Sequence, residues 1–421
     1  MRKLNRRQFN SLVGAGVASM TAPLQIGAQS KPKVLIIGGG AGGATAARTL
    51  ARNEGLEVTL VTASDTFTTC FFSNLYLGGF RDFDSITHSY EKLTADGINV
   101  VTGFAIDVDS AGRTVSLKDG MSLSYDRLIL APGIDIKYDS LPGYSAVAAE
   151  VAPHAWQAGK QTQLLKAQLD AMQDGDNVVM VPPPNPYRCP PGPYERVSMM
   201  AHNLKTRGFK NSSIYVLDPK PGFSKQGLFQ EGWDKHYPGM IEWYGPDVHG
   251  GIINIDASAG VVETDFDAFS GAVLNIIPAQ QAGSIAVVAG LTDETGYCPI
   301  DANSMRSAVD ENIFIIGDAS IAGAMPKSGF SANSQAKVAS EAIVADLTGS
   351  DIAPAVYSNT CWSLIAADDG VKVGAQYEAV DGKIASTSTF ISETGEDAEL
   401  RRATYLESVG WYGAISFEMF G

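Results

Sequence analysis

A glycine-rich turn directly after the first apolar run limits what the N-terminal part of the chain can fold into. Residues 33–37 are predicted to be a buried strand and residues 44–53 a helix, with a second strand at residues 57–61. The turn between the first strand and the helix has the pattern G-x-G-x-x-G. In this pattern the glycines allow a tight turn, close approach to a pyrophosphate, and close packing of the helix. The sequence therefore predicts a Rossmann-type domain that holds a dinucleotide at a helix N-terminus, through Gly38, Gly40, Ala41 and Gly43.

The acid that usually holds the ribose at the end of the second strand is missing. Thr62 occupies that position, and Asp65 is the nearest acid. A threonine hydroxyl can still form a hydrogen bond with a ribose hydroxyl. We therefore expect either Thr62 or Asp65 to hold the ribose, and both are kept as candidates.

Two later segments resemble the flavoproteins of the disulfide-reductase superfamily. Residues 125–133 are predicted to be a strand that ends in a tight turn, and residues 312–319 a strand that ends in Gly-Asp. In that superfamily the Gly-Asp aspartate binds the ribityl chain of FAD. A helix is predicted at residues 333–347, where its N-terminal dipole would favour negative charge on a reduced flavin. The resemblance implies FAD as the cofactor and adds to its expected contacts Ala105, Ala131, Pro132, Gly133, Gly317, Asp318 and Lys327.

The second nucleotide loop that an NAD(P)H-dependent member would carry is not present in the sequence. The strand predicted at residues 177–181 is followed by Pro182-Pro183-Pro184-Asn185-Pro186. Proline has no backbone N–H to offer a phosphate, and its fixed φ prevents the glycine turn. The second domain is therefore expected to keep its shape without a nucleotide, and electrons are expected to come from a small substrate.

The four cysteines, Cys70, Cys189, Cys298 and Cys361, allow three complete pairings, and the sequence alone does not choose among them. Their spacing does not match a structural zinc site or a haem attachment motif. Cys189 lies in a proline-rich loop, and Cys361 lies in the C-terminal region that covers the flavin in this architecture. If these two sulfurs meet, they form a disulfide that hydrosulfide can attack. Glu195 is the expected carrier of protons.

Five segments together resemble the flavoprotein subunit of flavocytochrome c sulfide dehydrogenase: TCFFSN, RCPPGPYER, FIIGDAS, PKSGFSANSQAK and TCWSL. The resemblance implies that Cys189 and Cys361 form a redox-active disulfide and that Glu195 is the catalytic base. It implies that Cys70 is bound to the flavin through an 8α-S-cysteinyl bond. It also implies a partner subunit that carries c-type haem, and zero-valent sulfur or polysulfide as the product.

Each of these residues also has a purely structural interpretation. Cys70 can be a buried thiol, and a bridge between Cys189 and Cys361 can be a structural staple, as in many exported proteins. Cys298 is interpreted as a buried structural thiol. Trp411 either helps to cover the flavin or is an ordinary core residue.

The N-terminal residues predict where in the cell the protein is located. Arg6-Arg7 is followed by a mild apolar stretch and then by small residues up to Ala28, a pattern typical of a twin-arginine export signal. We therefore expect a periplasmic protein.

The net charge of −15 argues against nucleic acid as a partner, and no apolar run reaches the ~18 residues of a membrane span. None of the five histidines is spaced like a metal ligand, so no metal is expected. The acidic surface is a candidate for steering a basic cytochrome, a role that a salt-independent rate of cytochrome reduction would exclude.

The expected fold is α/β, with an FAD domain, an inserted NAD-like domain and a small C-terminal α+β domain. The expected segments are a signal at residues 1–28, the FAD domain at 31–143 and 292–347, the NAD-like domain at 144–291, and the C-terminal domain at 348–421. The function expected is sulfide oxidation with a c-type cytochrome as acceptor. Two alternatives stay open: a sulfide:quinone oxidoreductase, and an accessory flavoprotein of a thiosulfate-oxidising system.

Overall fold

A computed structural model of the protein describes residues 31–421. The predicted export signal, residues 1–28, lies outside the described residues. None of the helices in the described part of the chain combines the length and apolar composition that crossing a bilayer requires.

A parallel sheet forms the core of the first region. Its central strand, β1 (Lys33–Ile37), pairs with β2 (Glu57–Thr62) on one side and with β9 (Arg127–Leu130) on the other, and both neighbours are parallel to it. The strand Ile313–Ile315, from much later in the chain, adds to β9, and β5 adds to β2. The sheet buries both faces, as expected for apolar parallel strands. The strands of this region are β1 (Lys33–Ile37), β2 (Glu57–Thr62), β3 (Thr66–Thr68), β4 (Thr87–Ser89), β5 (Asn99–Thr102), β6 (Ala105–Asp109), β7 (Thr114–Leu117), β8 (Ser122–Ser124), β9 (Arg127–Leu130) and β10 (Ile134–Ile136).

Two helices pack together over this sheet. The helix Ala41–Ala51 begins three residues earlier than predicted, because Gly40 is already extended and acts as its N-cap. The helix Gly329–Thr348 begins four residues earlier than predicted, because the Ser328 hydroxyl accepts the Ser331 N–H and caps it. Small buried alanines line both helices and allow their close approach. Two shorter helices of the region are Ser73–Leu77 and Glu91–Ala95.

A second parallel sheet, inserted between these parts, has the order β13-β12-β11-β17. All of its strands fall within the predicted segment 144–291. The strands of the insertion are β11 (Val178–Val181), β12 (Ile214–Leu217), β13 (Ile241–Tyr244), β14 (Ile252–Asp256), β15 (Val261–Thr264), β16 (Ala268–Ser270), β17 (Val273–Ile276) and β18 (Gln280–Ala282). Its helices are Lys160–Ala171, Gly192–Thr206, Gln226–His236, Pro246–His249 and Ser284–Val288.

The C-terminal region is a three-stranded antiparallel sheet with one long helix. Its strands pair in chain order, and the helix Ala398–Phe420 packs against them. One edge of the sheet reaches the helix Gly192–Thr206, which brings the C-terminal region onto the insertion. The remaining strands of the chain are β19 (Cys298–Pro299), β20 (Ile313–Ile315), β21 (Ser320–Ile321), β22 (Val356–Ala366), β23 (Asp369–Val380) and β24 (Lys383–Ile391).

Candidate active site

A cavity of about 650 Å³, which we call the cofactor cleft, lies at the carboxyl end of the first parallel sheet. The glycine-rich turn forms one wall. Gly38 has φ of 106°, and a Cβ there would lie 2.2 Å from the carbonyl oxygen of Ala131. A Cβ on Gly43 would lie 1.8 Å from the carbonyl oxygen of Gly38. Only glycine fits at these two positions, because the obstacles are backbone atoms.

These close backbone contacts predict the effect of adding a methyl group at Gly43. Gly43→Ala is expected to destabilise the protein by about 1–3 kcal/mol through overpacking and to lower its flavin content. Thermal unfolding and the ratio of flavin to protein absorbance measure the two effects. The matched control is Gly413→Ala, since Gly413 is an exposed helical residue with no described atom within 4 Å of its Cβ. The control is expected to keep its flavin and to gain up to ~1 kcal/mol of stability. Full flavin content in Gly43→Ala would contradict the role of this turn.

The polar groups of the cofactor cleft fit a dinucleotide with a polyhydroxylated chain. The helix Ala41–Ala51 points its N-terminus at the cleft, and its N-cap Gly40 offers no side-chain acceptor, so N–H groups are left for an anion. The Asp318 side chain is 12% exposed, and its Oδ1 has no hydrogen-bond partner among the described residues. Its Oδ2 lies 3.7 Å from the Arg188 guanidinium. A buried oxygen without a partner is costly unless a ligand hydroxyl satisfies it. Bound FAD would provide such a hydroxyl.

The predicted cofactor contacts fall into two groups. Nine of them line the cofactor cleft, namely Gly38, Gly40, Ala41, Cys70, Ala131, Pro132, Gly133, Gly317 and Asp318. Gly43 acts from behind the turn, by packing.

Besides Gly43, four predicted contacts do not line the cofactor cleft. Thr62 is buried and donates its hydroxyl to the Ser64 carbonyl (3.0 Å), while Asp65 points to solvent and accepts from Thr102 (2.5 Å). Ala105 packs in the core beneath. Lys327 donates to the carbonyl oxygens of Asp318 (2.9 Å) and Ser320 (2.8 Å) and so supports the loop that carries Asp318. Ala63 and Ser64 line the cleft where the ribose contact was expected.

A second cavity, of about 80 Å³, adjoins the cofactor cleft, and we call it the thiol cavity. Three of the four cysteines, Cys70, Cys189 and Cys361, line it together with Glu195. Residues common to both cavities show that they share a wall: Cys70, Phe71, Arg188, Ser328 and Gly329. The residues that sequence reasoning assigned to sulfur chemistry therefore meet at the edge of the cofactor cleft.

The proline-rich loop holds Cys189 in a defined place. Cys189 has φ of 57°, its N–H donates to the Lys327 carbonyl (2.7 Å), and its carbonyl accepts the N–H of Gly192 (2.8 Å). A Cβ on Gly192 would lie 2.8 Å from the Cys189 sulfur, so glycine at that position makes room for the thiol. Burial raises the pKa of Cys189 well above its usual value, and the nearby Cys361 and Glu195 act in the same direction.

Cys361 lies on β22 and lines the thiol cavity together with Cys189. The Asn359 amide nitrogen lies 3.4 Å from its sulfur. Buried Lys225 donates from Nζ to the Cys361 carbonyl (3.0 Å) and to the Ser363 hydroxyl (2.8 Å). Burial raises the pKa of Cys361 and lowers that of Lys225 to about 8. All four cysteines lie within residues 31–421, and none is disulfide-bonded in the structure.

Glu195 is held by two donors in the first turn of the helix Gly192–Thr206. Its Oε2 accepts from the Asn74 amide (2.8 Å), and its Oε1 accepts the N–H of Leu364 (2.9 Å). Burial raises its pKa, while both hydrogen bonds pull the pKa down. The carboxyl group is thus fixed beside the thiols and lies in a setting that moves its proton affinity toward neutral pH.

Arg196 gives the thiol cavity a buried positive charge. Arg196 is 2% exposed to solvent. Its guanidinium donates to neutral acceptors: Asn74 Oδ1 (3.0 Å), Asn275 Oδ1 (3.2 Å) and the carbonyls of His154 (2.9 Å) and Ala155 (2.7 Å). No carboxylate within salt-bridge distance neutralises it in the described part of the chain. Arg196 and Asn74 lie inside the quoted motifs, but the sequence alone gives neither of them a role in the site.

Aromatic rings form one wall of the thiol cavity. Trp411 lies 5.0 Å from Trp362, 5.5 Å from Phe71 and 5.9 Å from Phe330, measured between ring centroids. Trp411, Trp362, Phe71 and Phe330 all line the cavity. Trp411 therefore contributes to the wall of this cavity.

Cys298 is set apart from the other three cysteines. It is fully buried on β19, lines neither cavity, and burial raises its pKa to about 12. Such a thiol stays protonated and unreactive at neutral pH.

Comparisons with known proteins agree with this geometry. Three family models match the chain: pyridine nucleotide-disulphide oxidoreductase over residues 32–180, the central part of the flavocytochrome c sulfide dehydrogenase flavoprotein chain over residues 162–278, and the flavin-binding part of flavocytochrome c sulphide dehydrogenase over residues 353–420. The fold and the site thus define a flavin-dependent oxidoreductase of the disulfide-reductase type. Within this class, the two matches specific to flavocytochrome c sulfide dehydrogenase, over residues 162–278 and 353–420, support its flavoprotein subunit as the family.

Other known proteins are similar to this chain in sequence or in fold. The mitochondrial sulfide:quinone oxidoreductase of Mus musculus is 21% identical over 302 residues, which cover 69% of this chain and 66% of that protein. The solved sulfide:quinone oxidoreductase of Aquifex aeolicus superposes with a TM-score of 0.68 at 17% identity, over 90% of this chain and 91% of that one. An NAD-dependent persulfide reductase from A. fulgidus superposes with a TM-score of 0.61 at 15% identity, over 89% of this chain and 77% of that one.

Proposed function

We propose that the protein oxidises hydrosulfide to zero-valent sulfur or polysulfide, with Cys189 and Cys361 as its redox-active pair. One observation carries the proposal: two thiols and a fixed carboxyl group line one small cavity that adjoins the cofactor cleft. A cavity of about 80 Å³ accommodates a small substrate rather than a nicotinamide. The loop after β11 contains prolines instead of glycines, which agrees with a donor other than NAD(P)H.

The first chemical step is thiol–disulfide exchange. In the oxidised protein, HS⁻ attacks one sulfur of a Cys189–Cys361 disulfide. One S–S bond forms and the other breaks, which leaves a persulfide on one cysteine and a thiolate on the other. When this thiolate bonds to the outer sulfur of the persulfide, the persulfide loses its proton, two electrons are released, and a zero-valent sulfur atom is left between the two cysteines. Burial raises the pKa of both thiols. Bound FAD would accept the electron pair and pass it on one electron at a time.

Charged groups around the cavity support this step. Arg188, Arg196 and Lys225 approach the thiols, and their positive charge favours both the incoming HS⁻ and the thiolate that forms. The Glu195 carboxylate accepts the one proton that the persulfide loses. The aromatic wall of Trp362 and Trp411 limits the access of water to the reacting sulfurs.

We also propose that Cys70 forms a thioether to the flavin. Cys70 lines both the cofactor cleft and the thiol cavity, so its half-buried sulfur lies where the two meet. A residue that only stabilised the core would not be expected at this junction. A covalent link there would fix the flavin at the edge of the thiol cavity.

The proposed electron acceptor is a c-type haem on a partner subunit, in the periplasm after twin-arginine export. The family assignment and the pattern around Arg6-Arg7 support this proposal. The second candidate acceptor is a quinone, favoured by the likeness to two sulfide:quinone oxidoreductases.

Steady-state turnover separates these acceptors. The purified holoenzyme, with and without its co-purifying partner, is mixed with sulfide and either a c-type cytochrome or a water-soluble quinone. Reduction of the cytochrome at a rate well above that of the quinone is expected. Faster quinone reduction would favour the second candidate. No sulfide consumption with either acceptor would exclude both and favour an accessory role.

Substitution of Glu195 tests the proton acceptor. Glu195→Gln is expected to lower sulfide turnover by roughly 100-fold or more, the usual contribution of a general base. In the wild type the rate should fall as the pH drops through the raised pKa of Glu195, because the carboxyl group becomes protonated and can no longer accept a proton. When rates are corrected for the fraction of sulfide present as HS⁻, which also falls as the pH drops, this acidic limb should be missing in Glu195→Gln. Glu378→Gln, at an exposed position of β23, is the control and should behave as wild type. An unchanged acidic limb in Glu195→Gln would contradict the assignment.

A further inference from the structure

Cys361 borders a second space that the proposed mechanism does not use. This space, a cavity of about 250 Å³, lies on another side of Cys361, and we call it the outer cavity. Cys361 is the one residue that lines both the outer cavity and the thiol cavity, among the described residues. Cys189, Glu195 and Cys70 do not line the outer cavity.

The outer cavity connects Cys361 to solvent. Ser386, Thr389 and Ala324 lie in its lining and are exposed, while Cys361, Gly374 and Tyr377 in the same lining are buried. The cavity therefore has an open rim and a buried end, and the end contains the sulfur-bearing residue. Gly374 has to be glycine, because a Cβ there would lie 2.6 Å from the Asn359 carbonyl oxygen.

The chemistry of the lining suits a small anion. Four hydroxyl-bearing residues are in its lining, namely Ser224, Tyr377, Ser386 and Thr389, and no aspartate or glutamate is among its described lining residues. The Asn359 amide nitrogen lies 3.4 Å from the Cys361 sulfur, and Asn359 is itself in the lining. Behind this end, buried Lys225 binds the Cys361 carbonyl. Donors and a positive charge are thus concentrated at the closed end.

The volume suits more than one atom of sulfur. One water-sized species needs ~10–15 Å³ of such space, so about 250 Å³ accommodates a chain of several sulfur atoms. The thiol cavity, at about 80 Å³, leaves much less room for a chain. Pro190, Pro191 and Pro326 stiffen the wall and keep the outer cavity open.

We propose that the outer cavity is a binding site and passage for small anionic sulfur species, through which they reach and leave Cys361. Hydrosulfide would arrive through it, and a short sulfane chain carried on Cys361 would extend into it, away from the cofactor cleft. The inference rests on the proposed function for the identity of the anion. The passage itself is a geometric claim and can be tested without turnover.

The test measures how fast a small anionic reagent reaches Cys361. The holoenzyme is reduced with dithiothreitol, freed of reductant and treated with iodoacetate, which forms an S–C bond with release of iodide. Peptide mass mapping then gives the rate of carboxymethylation at Cys361. Ser386→Trp and, as a second variant, Thr389→Trp place a large side chain at the rim. Ser388→Trp is the matched control, because Ser388 is exposed on the same strand and is not in the lining.

Both rim variants are expected to slow carboxymethylation of Cys361 by at least tenfold, with no change in the control. They should also lower kcat/KM for sulfide while the flavin content stays at the wild-type value. Unchanged labelling of Cys361 in rim variants with normal flavin content would overturn the proposal. Slowed labelling in a protein that does not oxidise sulfide would keep the passage and contradict the proposed function instead.

Discussion

Cys361→Ser is expected to lower sulfide-dependent turnover by a factor of roughly 1000 or more, since a serine hydroxyl cannot form the disulfide that hydrosulfide attacks. The substitution removes one sulfur from a buried position and replaces it with a smaller hydroxyl group. Asn359, which contacts the sulfur, can form a hydrogen bond with that hydroxyl. The fold and the flavin content should therefore be kept. Anaerobic stopped-flow and steady-state assays with sulfide measure the loss.

Further cysteine variants test whether the loss of turnover in Cys361→Ser results from the loss of the disulfide. Cys189→Ser should produce a loss of the same size, and the double variant should lose little more, because residues that act as a unit are not additive. Cys298→Ser removes a thiol that lines neither cavity and should retain turnover. Near-normal turnover in Cys361→Ser would mean that a bridge to Cys189 is only a structural staple.

Cys70→Ser is expected to convert a retained flavin into a released one. When the wild-type holoenzyme is precipitated with acid, the yellow colour and the added flavin mass should stay with the protein. In Cys70→Ser the colour should pass into the supernatant, because the cofactor cleft then holds the flavin by non-covalent contacts alone. Intact mass and peptide mapping locate the modification.

The control for this experiment is Cys298→Ser, which should retain the coloured protein pellet. Release of the flavin from the wild type would contradict the covalent link. Cys70 would then be an ordinary half-buried thiol, and the comparison with sulfide:quinone oxidoreductases would gain weight.

The sequence predicted those parts of the fold that local patterns specify. The glycine turn at Gly38 predicts both a strand and a helix, because its backbone conformation and close contacts suit only that arrangement. The prolines after β11 likewise predict the loss of a nucleotide loop from properties of single residues. Helix starts were less accurate, because capping by Gly40 and Ser328 adds residues that carry no apolar pattern.

Contacts that depend on the path of a loop were harder to predict. Thr62 ends β2 as expected, but its hydroxyl turns back to Ser64, which leaves Ala63 and Ser64 to line the cofactor cleft. Lys225 has no local signal, because its approach to Cys361 results from the packing of the insertion against the C-terminal sheet. The meeting of Cys189 and Cys361 in one cavity is likewise a tertiary result, and a resemblance of motifs had to predict it.

The most direct measurement is an anaerobic titration of the oxidised holoenzyme with sulfide, followed by the visible absorbance of the flavin. We expect sulfide to remove this absorbance in the wild type without NADH or any other reductant. NADH alone should leave it unchanged, since the loop after β11 has no glycines to bind a second nucleotide. Reduction by NADH but not by sulfide would contradict the central claim that this chain takes its electrons from sulfide.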